Sequence, residues 1–281
     1  MKQQKIIKTL QDAINFHQNK EYRKAENLYK KVLNSDNRNY DAVRHLGILK
    51  LDNNLLNQAK VLFEKSIKIN DRLPHAYNNL GQYYFLIDDF QLALNNFYYC
   101  LDRDSTYWPA LNNLGKFFLE IQDREKSLHF AELAHMGNPN DINAKKTYAQ
   151  ALILNEKHME GISLLKEVIK SHKDLGAYNI LQDLYKDLGS LDLSLDYCRE
   201  ALKINSLDPL SIYNISYFKN LDEYQKDLEE KIVQELEVRK DTHITNDKDL
   251  SALYFGLYRM FERKKKYKEA FRYMSLANKL I

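Results

Sequence analysis

The chain has 281 residues, and its 42 basic and 39 acidic side chains are mixed along the whole length for a formal charge of +3. No polybasic tail or stripe tracks phosphates, so nucleic acid is not an expected partner. No apolar run approaches the roughly 18 residues that span a bilayer, and the start MKQQKIIKTL lacks both an apolar core of about 7 to 15 residues and a small-residue cleavage site, so neither a membrane contact nor a secretory signal is expected.

Taken in chain order, the elements repeat. A shift of 34 positions aligns Leu46-Gly47, Leu80-Gly81 and Leu114-Gly115, and the same shift aligns Ala59 with Ala93 and Phe63 with Phe97. Self-similarity at such a period outranks local propensity. The frame predicts units at 6–39, 40–73, 74–107, 108–141, 142–174 and 175–208, the fifth of them 33 residues long. Within each, two stretches of helical apolar spacing flank a short polar turn, as in HAYNNLGQYYFLI, DD, FQLALNNFYYCLDRD, which predicts a helical hairpin. Small residues stand where the second helix meets the first, at Ala25, Ala59, Ala93 and Ser127, and bulky ones follow one turn later at Tyr29, Phe63 and Phe97. All four prolines, Pro74, Pro109, Pro139 and Pro209, fall at junctions between units.

Beyond residue 208 the pattern loosens. Pro209 to Asn220 reads as a first helix and EYQKDLEEKIVQELEVRK as a longer second one, giving a degenerate hairpin over 209–246. DTHITND connects it, with Thr245 or Asp247 as a helix cap, to a final hairpin over 247–281, the eighth. On a helical projection the apolar residues of Tyr267 to Ile281 cover about half the circumference, wider than an end helix needs. Helical arrays usually finish in a polar cap, so self-association or a domain contact through 267–281 is expected.

The 34-residue period, Leu-Gly within the first helix, an aromatic three residues on (Tyr84, Phe118), and Ala then Phe or Tyr in the second helix resemble the tetratricopeptide repeat family over residues 6–208. The resemblance implies an all-α fold, a right-handed α-α superhelix of about eight hairpins whose first helices line a concave groove. Ser127, Gly161 and Ser194 depart from the usual Ala, and the fifth and sixth units lack Leu-Gly. The final stretch, with Ala252 to Leu257, Tyr267 to Phe271 and Ala277-Asn278, is similar to the hairpin that closes the array in bacterial proteins where tetratricopeptide repeats precede a sulfotransferase domain. The Pro-x-Ser-Gly-Thr phosphosulfate loop of that enzyme is absent from the sequence, so this resemblance implies a non-catalytic, substrate-presenting or regulatory portion of a transferase system.

Chemistry-bearing patterns are few. None of the eight histidines pairs with another at metal-ligand spacing, and neither H-E-x-x-H nor C-x-x-C occurs, so no metal is expected. Cys100 and Cys198 lie in amphipathic helical patterns, which suits buried thiols and a cytoplasmic setting. Asp88-Asp89 falls in a hairpin turn, where a helix N-terminus favours carboxylates. The Leu-Gly glycines are mid-helix and cradle no phosphate. No enzyme activity and no cofactor are expected.

If the first helices line a groove, their polar positions supply a binding face. These are Arg44, His45 and Ile48; Asn78, Asn79 and Gln82; Asn112, Asn113 and Lys116; Lys146, Thr147 and Gln150; Asn179 and Asp183; and Tyr213 and Asn214. Against the two-carboxylate clamp of tetratricopeptide proteins that bind acidic tails, Arg44 stands for its Lys and Asn79 matches, but Ile48 replaces an Asn and Pro109 and Asn113 replace the final basic pair. The asparagine before Leu-Gly, at Asn79, Asn113 and in a looser form Asn214, resembles instead the Asn ladder of the O-linked N-acetylglucosamine transferase repeats. An Asn amide can donate to one backbone carbonyl and accept from one backbone N–H. The expected partner is thus an extended segment of another protein, held on Arg44, Asn78, Asn79, Gln82, Asn112, Asn113, Lys116 and Asn214.

Overall fold

A computed structural model describes residues 2–218, 227–234 and 247–280, and among these it is helical throughout, without strands. The chain divides into two compact units, Met1–Lys157 and His158–Ile281. Unit 1 holds α1 (Lys2–Gln18), α2 (Tyr22–Ser35), α3 (Tyr40–Asp52), α4 (Leu56–Ile69), α5 (Pro74–Leu86), α6 (Phe90–Leu101), α7 (Trp108–Glu120), α8 (Arg124–Gly137) and α9 (Ile142–Leu154). Unit 2 holds α10 (His158–Ser171), α11 (Leu175–Asp187), α12 (Leu191–Ile204), α13 (Pro209–Ile215), α14 (227–234), α15 (Asp247–Arg263) and α16 (Tyr267–Asn278). The expected long helix over 223–240 and the Thr245 cap lie largely outside the described residues.

The hairpins of unit 1 interlock by small against large. A Cβ added to Gly47 would lie 2.6 Å from Phe63 Cε1, and one added to Gly81 would lie 2.6 Å from Phe97 Cδ1. Both glycines are therefore close-approach positions, with Phe63 and Phe97 buried over them. In the fourth hairpin Ala131 stands in the aromatic position, and the Gly115 backbone comes down onto it, an added Cβ lying 3.2 Å from Ala131 Cα. Ala25, Ala59, Ala93 and Ser127 are all fully buried beneath the first helices. Trp108 opens α7 and packs over Gly137, next to buried Ala134 and Ala144.

Seven hairpin turns among the described residues are built alike. Lys20, Asn54, Asp88, Gln122, Glu156, Gly189 and Lys265 adopt positive φ, between 56° and 73°. The N–H of the following residue reaches five residues back, as in Glu21 to Phe16 O, Asp89 to Tyr84 O and Ser190 to Tyr185 O. The left-handed residue itself donates three back, as in Gln122 to Leu119 O. This pair of bonds is the Schellman closure of a helix C-terminus. It satisfies the last carbonyls of the first helix and turns the chain into the second. Side chains then cap several helix starts, with Asp89 accepting from Leu92 N, Asp123 from Lys126 N, Asp141 from Ala144 N and Asp208 from Ser211 N.

Within unit 1 each helix packs on the next, and the first helices α1, α3, α5, α7 and α9 also touch one another in series, while no comparable contacts join α2, α4, α6 and α8. The first-helix layer is accordingly the tighter, inner one. In unit 2 α13 ends at Ile215, short of the expected Asn220, closed by Tyr217 N to Asn214 O and Phe218 N to Ile215 O. Its Ile212 sits under Gly256 of α15, and Ile212, Ile215, Ile232, Leu253, Leu257 and Met260 form that unit's core. On α16, Ala270 and Ala277 are buried, whereas Tyr267 and Phe271 are 66% and 64% exposed.

Candidate functional site

The candidate residues of unit 1 all sit on first helices of the inner layer: Arg44 on α3, Asn78, Asn79 and Gln82 on α5, and Asn112, Asn113 and Lys116 on α7. The four asparagines are between 4% and 9% exposed. Their amides divide into two kinds. Asn113 Nδ2 donates to Asn78 Oδ1 at 2.9 Å, a buried bond that joins α7 to α5. Asn79 Nδ2 and Asn112 Oδ1 are buried without a hydrogen-bond partner among the described residues. A buried amide group left unpaired costs on the order of 1–3 kcal/mol, so such groups are rare and call for an explanation.

Charge flanks the asparagines on both sides. Lys116 reaches solvent, but the surrounding protein and nearby Lys146 push its ammonium below the ordinary lysine range, against a smaller opposing pull from Asp141. Thr147 is buried, its hydroxyl donating to Asn143 O at 2.9 Å, and Gln150 is exposed. At the other end Arg44 Nη2 donates to His45 Nε2 at 2.7 Å. Burial first, then the Arg44 charge, pushes the His45 imidazole down to about 3, so it is neutral and its Nε2 accepts that hydrogen bond. His45 also stacks on buried Tyr29, with ring centroids 6.1 Å apart.

Asn214 belongs to unit 2 and is used inside it. Its Nδ2 donates to Asp183 Oδ1 at 2.9 Å, its Oδ1 accepts from Lys186 Nζ at 3.0 Å, and it is fully buried. Asn179 likewise donates to Asp208 Oδ1 at 3.1 Å and accepts from Gln182 Nε2 at 2.9 Å. These bonds tie α11 to α13 and its cap, and they consume the amides that sequence reading assigned to a partner.

Nothing in this arrangement resembles a catalytic constellation. Cys100 and Cys198 are buried free thiols, each pushed up to about 12, chiefly by burial. Among the described residues no three His, Cys, Asp or Glu side chains converge to hold a metal ion. No helix among them is long and apolar enough to cross a membrane.

Comparison with known proteins bears on the repeat directly. The tetratricopeptide repeat model matches residues 175–206, which are α11 and α12 with their Schellman turn at Gly189. Residues 175–206 form a tetratricopeptide repeat. Among solved structures, one similar to it is a tetratricopeptide repeat protein from Parabacteroides merdae, with 12% identity and a TM-score of 0.59 over 98% of this chain and 99% of that one. Another is pilF of Pseudomonas aeruginosa, with 15% identity and a TM-score of 0.59 over 73% of this chain and 94% of that one. A thermophilic tetratricopeptide repeat protein of Thermus thermophilus gives 20% identity and a TM-score of 0.56 over 63% and 97%. At these identities the likeness is one of fold. No curated protein sequence matches the chain. The tetratricopeptide fold is that of protein-interaction scaffolds, generally without catalysis of their own, and it explains the Leu-Gly approach and the small-to-large interlock. It leaves the unpaired amides of Asn79 and Asn112 unexplained.

Proposed function

We propose that this protein is a non-enzymatic scaffold whose first-helix layer in unit 1 holds an extended segment of a partner protein. The observation that carries this reading is the pair of unpaired amides of Asn79 and Asn112, each in a residue at most 6% exposed, on consecutive first helices. A half-turn of either amide about its terminal torsion exchanges donor and acceptor, so each can meet a backbone carbonyl or a backbone N–H. An extended chain offers both in alternation. Gln82 and Lys116, one turn further along α5 and α7, extend the polar face. Recognition on main chain tolerates many sequences, and at about 1 kcal/mol net per hydrogen bond it needs several contacts.

Selection from a random peptide library displayed on phage tests the proposal. Selected peptides should tolerate most single side-chain replacements, while methylation of one or two backbone nitrogens should weaken them about tenfold, consistent with loss of single backbone hydrogen bonds of the ~1 kcal/mol class. Failure to enrich any peptide, or affinity set wholly by side chains, would overturn it.

A further inference from the structure

Unit 2 carries two exposed apolar surfaces of opposite charge. The first is the outward face of α16. That helix packs on α15 with Ala270 and Ala277 buried, and it leaves Tyr267 and Phe271, one turn apart, exposed at 66% and 64%. Lys268 and Arg272 are exposed beside them in the same two turns, and Lys279 continues the cationic row. Glu269 lies across the helix from Phe271, at 100° per residue, and does not offset that row. Residues 264–279 hold six bases and one acid; Lys264 is paired with Glu229, and the rest leave a surplus of positive charge. The second surface is the turn between α11 and α12. Leu188, Leu191 and Leu193 are 46%, 51% and 46% exposed within six residues. A single exposed leucine is ordinary, but three in one turn make a patch. Leu188 closes α11 and Leu191 opens α12, on either side of Gly189, where an added Cβ would meet nothing within 4 Å. This turn is therefore open to an incoming surface. Residues 183–196 hold four acids and one base, and that base, Lys186, is taken up by Asp183 and Asn214. Asp187 and Asp192 stand exposed among the leucines.

We propose that α16 of one copy of this chain docks on the α11–α12 turn of a second copy. Tyr267 and Phe271 cover Leu188, Leu191 and Leu193, while Lys268 and Arg272 face Asp187 and Asp192. Charge selects the occupant: two α16 faces repel each other, as do two acidic turns, whereas the unlike pair attracts and is apolar on both sides. Each copy carries both surfaces, so the contact can be made twice in a reciprocal dimer or can propagate from copy to copy. It uses none of the unit 1 amides and stands independently of the peptide-binding reading.

Patches this small make a weak, transient contact, so sedimentation velocity on the full chain from about 1 to about 200 µM is the test. It uses two double variants, Tyr267→Ser/Phe271→Ser on α16 and Leu188→Ser/Leu191→Ser on the turn. All four side chains are exposed, and thermal melts check that each variant folds. Wild type should gain mass above the monomer as concentration rises, and each variant alone should stay monomeric. An equimolar mixture of the two should associate again, because each supplies the surface that the other lacks. A mixture that stays monomeric, or an association that the turn variant leaves intact, would overturn the docking. Charge gives a second arm on variants that keep every apolar side chain. Raising salt from about 50 to about 500 mM should weaken wild-type association severalfold. Lys268→Glu/Arg272→Glu and Asp187→Lys/Asp192→Lys should each abolish it, and mixing those two should restore it. Undiminished association of either charge variant would overturn the proposal. So would a wild type that is monomeric throughout the range, including one that binds phosphatidylserine vesicles instead.

Discussion

Asn113 of α7 donates its side-chain amide to Asn78 Oδ1 of α5 across 2.9 Å, inside the layer formed by the first helices. This bond divides the repeated Asn-Asn-Leu-Gly phrase. One asparagine of each pair binds its counterpart in the neighbouring repeat, and the other, Asn79 or Asn112, has an unpaired amide. The hydrogen-bonded pair and the pair with unpaired amide atoms therefore run crosswise between the two copies. Truncating Asn113 to Ala should strand Asn78 Oδ1 and lower unfolding free energy by about 1–2 kcal/mol, whereas Asn79→Ala should leave it nearly unchanged, the lost packing offsetting the relief of an unpaired buried amide. Urea midpoints of the two variants check this difference.

Gly81 faces the ring of Phe97, and a Cβ there would sit 2.6 Å from two of its carbons. Alanine gains about 1 kcal/mol of helix propensity over glycine, but overpacking a core site costs typically about 1–3 kcal/mol. The ring is enclosed on all sides at 1% exposure, so the second effect should win. Gly81→Ala is expected to lower the midpoint, and adding Phe97→Leu should recover part of the loss. Independent, additive effects would show that the two residues do not share the space described.

Gln122 holds a φ of 56° in the turn between α7 and α8, where glycine has no steric penalty. Gln122→Gly should therefore stabilise the protein by about 1 kcal/mol, against a loss of similar size for Lys65→Gly, exposed inside α4. Thermal melts of both variants decide whether the left-handed turn carries that cost.

His45 should give stability a pH slope. Its folded value of about 3 lies below the ordinary imidazole value of 6.5, so its contribution is fully present above pH 6.5. As pH falls from there toward 3, the unfolded chain takes up a proton that the folded chain refuses, at up to about 1.4 kcal/mol per pH unit. Below 3 both states are protonated and the contribution is gone. Urea midpoints measured from pH 7 to pH 4 should fall more steeply in wild type than in His45→Gln, and parallel slopes would remove His45 as the cause.

The helical hairpins were legible because their code is made of contrasts that sequence displays, Gly47 and Gly81 against Phe63 and Phe97, and Ala25, Ala59 and Ala93 beneath. The left-handed closure of the turns was not, because Lys20, Asn54, Asp88, Gln122 and Glu156 share a backbone conformation and no side-chain chemistry. Only Gly189 advertises it. The groove asparagines were legible as a group, yet which of Asn78, Asn79, Asn112 and Asn113 pair is set by the rotation of α5 against α7, which residue type does not encode. Asn214 matched the pattern but is spent on Asp183 and Lys186, neighbours that only folding brings close.

The central claim is that Asn79 and Asn112 meet a partner's main chain. Calorimetric titration of a library-selected peptide into wild type and the Asn79→Ala/Asn112→Ala variant tests it most directly. Two lost hydrogen bonds at about 1 kcal/mol each predict a Kd raised about 30-fold, with the urea midpoint unchanged. Equal Kd values for the two proteins, measured on the same peptide, would contradict the account.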